Sequence, residues 1–167
     1  MGEDAYGIPD NMFGHVPEIF FARLGRVVMV ASMLELRLLD LLTELDQAPQ
    51  DKHAGKSAAT LIEACRVLLD RYDPFFAESA TGTLEKAQQA LHNRNAVVHS
   101  LWPDPGIDSA YGWRPVPKNR RDSPGQPYKS ITLNGLQLRH LIASTAELVH
   151  HVDRLRERAA PARLAAP

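Results

Sequence analysis

The chain is poor in several things, and each shortage removes a class of protein. It has 167 residues and a single cysteine, Cys65, so no internal disulfide framework can hold it together. Cys65 sits inside "LIEACRVLLD", an apolar helical pattern, and reads as a small core residue. Neither sign of charge dominates: 19 Lys and Arg stand against 20 Asp and Glu, for a formal net charge of −1. Any attraction to a polyanion must therefore come from a local basic patch. No long apolar run survives inspection either, because "VVMVASMLELRLLDLL" is broken by Glu35, Arg37 and Asp40, which argues against a membrane span. The opening "MGEDAYGIPDNMFG" has neither a basic nor an apolar leader block. A cytoplasmic setting is the expectation.

What remains is helical periodicity. Pro17 and Glu18 open a run extending to about Leu45, a fitting start because proline and an acid both suit a first turn. Leu24, Ala31, Leu38 and Leu45 recur every seven residues, as do Val27, Leu34 and Leu41, marking a seam packed lengthwise. A third row, Val28, Glu35 and Leu42, places a carboxylate among apolar neighbours. "DQAPQDKHAGKS" has the composition of a linker. A second helix is expected over Ser57 to Tyr72, ending before Asp73-Pro74. With Ala80-Thr81-Gly82 read as a turn, a third is expected from Leu84 to Trp102. The last starts near Asn134 as N-cap and carries the seam Leu141, Leu148, Leu155 with Leu138, Thr145, Val152. Between them, about 103–132, lies a Pro- and Gly-rich insertion with two strand-like pieces, "YGWRPV" and "YKSITL". The fold class expected is all-α, an up-and-down bundle of four main helices with a loop or β-hairpin insertion before the last. Residues 1–16 would be an arm, 17–160 a single domain and 161–167 a frayed tail.

The third helix carries the chemistry. In "LHNRNAVVHSLWP" Arg94 falls on the seam formed by Leu84, Leu91 and Val98 with Ala87 and Leu101, where an apolar residue is expected. At about 100° per residue, His99 lies about 40° around from Asn95 and one turn further on, and roughly 140° from Arg94. The three side chains line one border of the packed face. A planar guanidinium grips phosphate through two hydrogen bonds, and an imidazole moves protons near neutral pH. The combination suits phosphate chemistry.

"RNAVVH" resembles the Arg–polar–x3–His form of the motif found in HEPN domains, an all-α family. The first helix "LGRVVMVASMLELRLLDLL", the helix ending "RNAVVHSLW" and the terminal amphipathic helix extend the likeness over most of residues 17–158. As a specific motif it covers about six residues. The resemblance implies a metal-independent endoribonuclease, a toxin or phage-defence effector, working without a cofactor as a homodimer with two motif-bearing helices facing each other. Arg94 would neutralise the scissile phosphate, His99 would act as general acid or base, and Asn95 would orient either. RNA would be the substrate, cut to a 2′,3′-cyclic phosphate, and a nucleotidyltransferase-like antitoxin a further partner. The family also includes members without catalysis, so a dimerising module that binds a protein, RNA or nucleotide is the alternative.

Other residues carry weaker signals. Glu35 could position Arg94 or His99, or simply pair at the surface with Arg37 or Arg66. The insertion offers Arg114, Lys118, Arg120, Arg121 and Lys129 interleaved with Tyr111, Trp113 and Tyr128, with Trp102 just before it; such a set can attract phosphates and stack bases. It can equally be a solvated loop whose aromatics anchor a hairpin. His140, His150 and His151 do not form a metal site, since adjacent positions diverge by about 100°.

Overall fold

The computed structural model describes residues 2–3, 6–9, 16–106, 108–116 and 127–163. The protein is mostly helical, with four helices and a small antiparallel sheet: α1 (Glu18–Asp46), α2 (Ala58–Leu68), α3 (Pro74–Val98), β1 (Leu101–Pro105), β2 (Ser109–Pro115), β3 (Tyr128–Asn134) and α4 (Gly135–Ala162). All-α is thus too narrow a description. The chain forms two compact units, one of residues 1–28 and 94–141, the other of 29–93 and 142–167.

The second unit holds the main core. The expected seams of α1 and α4 are where its burial lies: Ala31, Leu34, Leu38, Leu41 and Leu45 on α1, and Leu148, Val152 and Leu155 on α4, are all buried. Ile62 and Cys65 of α2 and Phe76, Leu84 and Leu91 of α3 complete it. Burial pushes the Cys65 thiol up to about 12, as for an inert core cysteine. The Tyr72 ring packs on Phe76, centroids 5.1 Å apart, and its hydroxyl donates to the Leu45 carbonyl at 3.1 Å. Arg37 pairs with Asp40 at 3.0 Å and with Asp153 at 3.1 Å.

The helix limits differ from expectation at α3. It starts at Pro74, and Ala80-Thr81-Gly82 is helical rather than a turn. Asp73 is its cap, its Oδ1 accepting from the Phe76 N–H at 3.0 Å, with Pro74 as the first helical residue. One glycine weakens a helix without stopping it. The hydroxyls of Thr81 and Thr83 fold back onto the Ala77 and Ser79 carbonyls. At its other end α4 runs through Pro161 to Ala162, whose carbonyl accepts the Asp73 N–H at 2.9 Å, and Arg163 bridges to Tyr72. The tail is therefore engaged as far as Arg163; residues 164–167 lie outside the described ones.

The segment 47–57 does more than link. α1 has no basic residue in its last turn, so the cations that favour a helix C-terminus come from beyond it. Lys52 Nζ reaches Asp46 at 2.6 Å, and the buried His53 reaches the same oxygen at 3.0 Å. Lys56 Nζ in turn donates to His53 Nδ1 at 2.9 Å. The hydrogen bond from Lys52, against an opposing effect of burial and helped by His53, holds the Asp46 carboxyl below its ordinary value of 3.8. A lowered folded-state value adds stability above pH 3.8 that is lost as pH falls through the folded value. Urea midpoints should therefore drop on acidification below about pH 4, and Asp46→Asn should flatten that part of the profile.

Gln47, just past α1, has φ of 51°, the left-handed conformation that glycine adopts more readily at this position. Gln47→Gly should raise stability by up to about 1 kcal/mol, measured by denaturant unfolding.

The first unit contains the sheet, in the order β1-β2-β3. β2 and β3 pair in regular register from Ser109↔Asn134 to Pro115↔Tyr128, as the two strand-like pieces suggest. β1 is an addition: Leu101 and Trp102, read as helical from the sequence, are strand residues, with an irregularity between Leu101 and Asp104. Asn134 caps α4 as expected. Its Oδ1 accepts from the Gln137 N–H at 2.7 Å while Gln137 Oε1 accepts from the Asn134 N–H at 2.8 Å, a reciprocal capping box.

Candidate functional site

Three groups from the residues after α3 turn back to close its C-terminus. The His99 N–H bonds the Asn95 carbonyl at 3.1 Å, the Ser100 hydroxyl donates to Ala96 O, and the Trp102 indole N–H donates to Val97 O at 3.0 Å. Helix ends leave their last carbonyls unpaired, and here the next four residues supply the donors. The Trp102 ring then packs edge-on against the buried Phe20, centroids 5.6 Å apart. Ser100 and Trp102 thus have an evident structural job, and Trp102, considered above as an RNA contact, is half-buried in it.

This frame sets the three motif residues. Arg94 and Asn95 occupy the last turns of α3 and are half-buried, while His99 stands just beyond the helix and is exposed. His99 is therefore not in the last helical turn, as the periodicity suggested, but at the cap. The Arg94 Nε is buried, whereas the His99 imidazole is open to solvent; a guanidinium and an imidazole are both groups that bind phosphate. Val98, next in the seam, is half-buried, and Leu101 is exposed because it has left the helix.

The sheet contributes a second surface in the same unit. Along β2 exposure alternates, with Ala110 and Gly112 buried and Tyr111 and Trp113 exposed. Register puts Leu101 beside Trp113 and Tyr128 beside Pro115. One face therefore shows Leu101 (65% exposed), Tyr111 (46%), Trp113 (41%) and Tyr128 (61%). Tyr111 and Trp113 meet edge to face at 5.7 Å, and the indole N–H donates to the tyrosine oxygen at 3.1 Å. Sequence reading flagged Tyr111, Trp113 and Tyr128; that Leu101 shares their face follows only from the strand register. Bases stack on such platforms. Arg114 is half-buried on the opposite face, beside Lys129. Lys118, Arg120 and Arg121 lie outside the described residues.

Glu35 is half-buried and belongs to the other compact unit. The partners suggested for it at the surface are engaged elsewhere: Arg37 with Asp40 and Asp153, and Arg66 with Glu63 and Gln88. His140 and His150 are exposed, and His151 lies 3.8 Å from Glu147. Among the described residues no group of three His, Cys, Asp or Glu side chains could hold a metal ion, and no helix is long and apolar enough to cross a membrane.

Fold and site together define a mostly helical protein with a small antiparallel sheet and an Arg–Asn–His cluster at a helix end. Comparison with protein-family models, curated proteins and solved structures finds no match to the chain.

Proposed function

We propose that the chain is a HEPN-type endoribonuclease, a helical bundle of that family acting in the cytoplasm as a toxin or phage-defence effector. The observation that carries the reading is the pairing of a half-buried Arg94 with an exposed His99 at one helix end. In the reaction, the ribose 2′-oxygen attacks the adjacent phosphorus and the bond to the 5′-oxygen breaks. A base removes the 2′-hydroxyl proton and an acid protonates the departing 5′-oxygen, leaving a 2′,3′-cyclic phosphate and a 5′-hydroxyl. The nucleophile belongs to the substrate itself, so no water needs activation by a metal. Arg94 neutralises charge gathering on the phosphate, His99 supplies or removes a proton, and Asn95 orients them.

Two proton transfers call for two groups, and a second copy of the chain brings a second His99. Support for a homodimer comes from α1, where Met29, Met33 and Leu36 stand on one face and are exposed, an arrangement more typical of an interface than of a free surface. Sedimentation should show a dimer at micromolar concentration, and Met33→Glu with Leu36→Glu should yield a monomer. The aromatic face of the sheet suits unpaired RNA. A nucleotidyltransferase-like antitoxin remains part of the proposal as a partner.

The deciding experiment is incubation of purified protein with RNA in EDTA, with the product ends mapped. Cleavage leaving 2′,3′-cyclic phosphate and 5′-hydroxyl ends supports the reading. RNA left intact overturns it in favour of a non-catalytic binding module.

A further inference from the structure

A groove in the second unit has a chemistry that the ribonuclease reading does not use. It is lined by Ser79, Gly82, Thr83 and Lys86 of α3 and by His151, Arg154, Leu155 and Arg158 of α4, and encloses about 300 Å³. On each helix these positions follow the spacing i, i+3, i+4, i+7, so each set forms one continuous face. The α3 side is made of three small residues and Lys86, and the α4 side of three basic residues and Leu155. Only Leu155 is apolar.

We propose that this groove binds a chain of phosphates, of diphosphate or triphosphate length. Three observations support it. First, among the described residues Lys86, Arg154 and Arg158 make no ion pair, and the Arg158 guanidinium lies over the Phe75 ring, 5.9 Å from its centroid. Three like charges facing one groove repel each other, and an anion removes that repulsion. Among the described residues, the one ion pair made by a lining side chain is that of His151 with Glu147, at 3.8 Å; Glu78, Glu85, Asp153 and Glu157 are on the same helices but do not line the groove.

Second, Gly82 leaves the space open. A Cβ there would meet nothing within 4 Å, so close packing does not explain a glycine in the interior of a helix, where alanine is the better helix former. With Ser79 and Thr83 on either side, it keeps room for a ligand, and the Ser79 hydroxyl adds a donor. Third, the size fits. The groove offers about 300 Å³, more room than a single phosphate ion fills, beside three cations.

The phosphates could belong to a free nucleotide or to the 5′-end of an RNA, and the test separates them. Inorganic tripolyphosphate, ATP and an oligoribonucleotide with a 5′-triphosphate are each titrated calorimetrically into the full chain, without magnesium and at physiological ionic strength. The expected result is saturable 1:1 binding of tripolyphosphate, weakened at least about tenfold by Arg154→Gln and by Gly82→Leu. Gly82→Leu fills the groove while favouring the helix, so its melting temperature should hold or rise as affinity falls. Stronger binding of ATP than of the oligonucleotide assigns the site to free nucleotides, and the reverse assigns it to RNA ends. Absence of saturable tripolyphosphate binding overturns the proposal, as does equal binding by wild type and both variants. Because Arg94 and His99 lie outside the groove, this outcome is independent of whether the protein cleaves RNA.

Discussion

His99→Ala should lower the rate of RNA cleavage by two to four orders of magnitude, roughly the range that a positioned acid or base provides. Stability should hardly change. The His99 side chain is exposed, and the residue is held by a hydrogen bond from its backbone N–H to the Asn95 carbonyl, which alanine retains. A change within about 0.5 kcal/mol is expected, as for an ordinary surface position. The pairing of a large kinetic loss with an intact unfolding curve separates a catalytic imidazole from a structural one. Arg94→Lys is the companion variant: it keeps the charge but loses the two-pronged grip on phosphate, and should reduce cleavage as well. If His99→Ala cuts RNA at the wild-type rate, the assignment of the site is wrong.

Gly112→Ala should destabilise the sheet by about 1–3 kcal/mol, the usual penalty for overpacking. A Cβ at this position would lie 2.7 Å from the Leu101 carbonyl oxygen and 2.7 Å from Cε3 of Trp102. Neither neighbour is free to retreat. One is backbone in the paired strand β1, and the other is a ring held by Phe20 and by its hydrogen bond to Val97 O. Displacing Trp102 would disturb the group that closes α3 beside Arg94 and Asn95. Denaturant unfolding should show the loss directly, and cleavage should fall with it although residue 112 takes no part in the chemistry. The same substitution at Gly82, where nothing lies within 4 Å, should be stabilising instead.

The helical cores were the most legible part of the sequence. The seven-residue seams of α1 and α4 coincide with buried residues because long helices bury a fixed stripe whatever they pack against. The end of α3 was harder. Leu101 continues the seam in register, and the groups that close the helix end at Val98, among them the side chains of Ser100 and Trp102 folding back onto helix carbonyls, leave no periodic signal. The start of α3 was hidden by Gly82, whose reading as a turn overlooked the Asp73-Pro74 cap. Within the site, residue identities at 94, 95 and 99 could be read directly, whereas the aromatic face depends on strand register. The groove was invisible because its halves are 65 or more residues apart in the chain, from Lys86 to His151 at the nearest.

The stretch from Gln47 to Ser57 has a practical consequence for anyone altering the chain. Its Pro, Gly and polar residues invite use as a place to insert a tag, cut with a protease or shorten a loop, as surface connections usually permit. Yet His53 in its middle is only 4% exposed, and Lys52 and His53 both return to Asp46. Lengthening or trimming this stretch would pull a buried side chain out of register with the end of the longest helix. It should tolerate changes at outward positions such as Ala54, and resist any change in its number of residues.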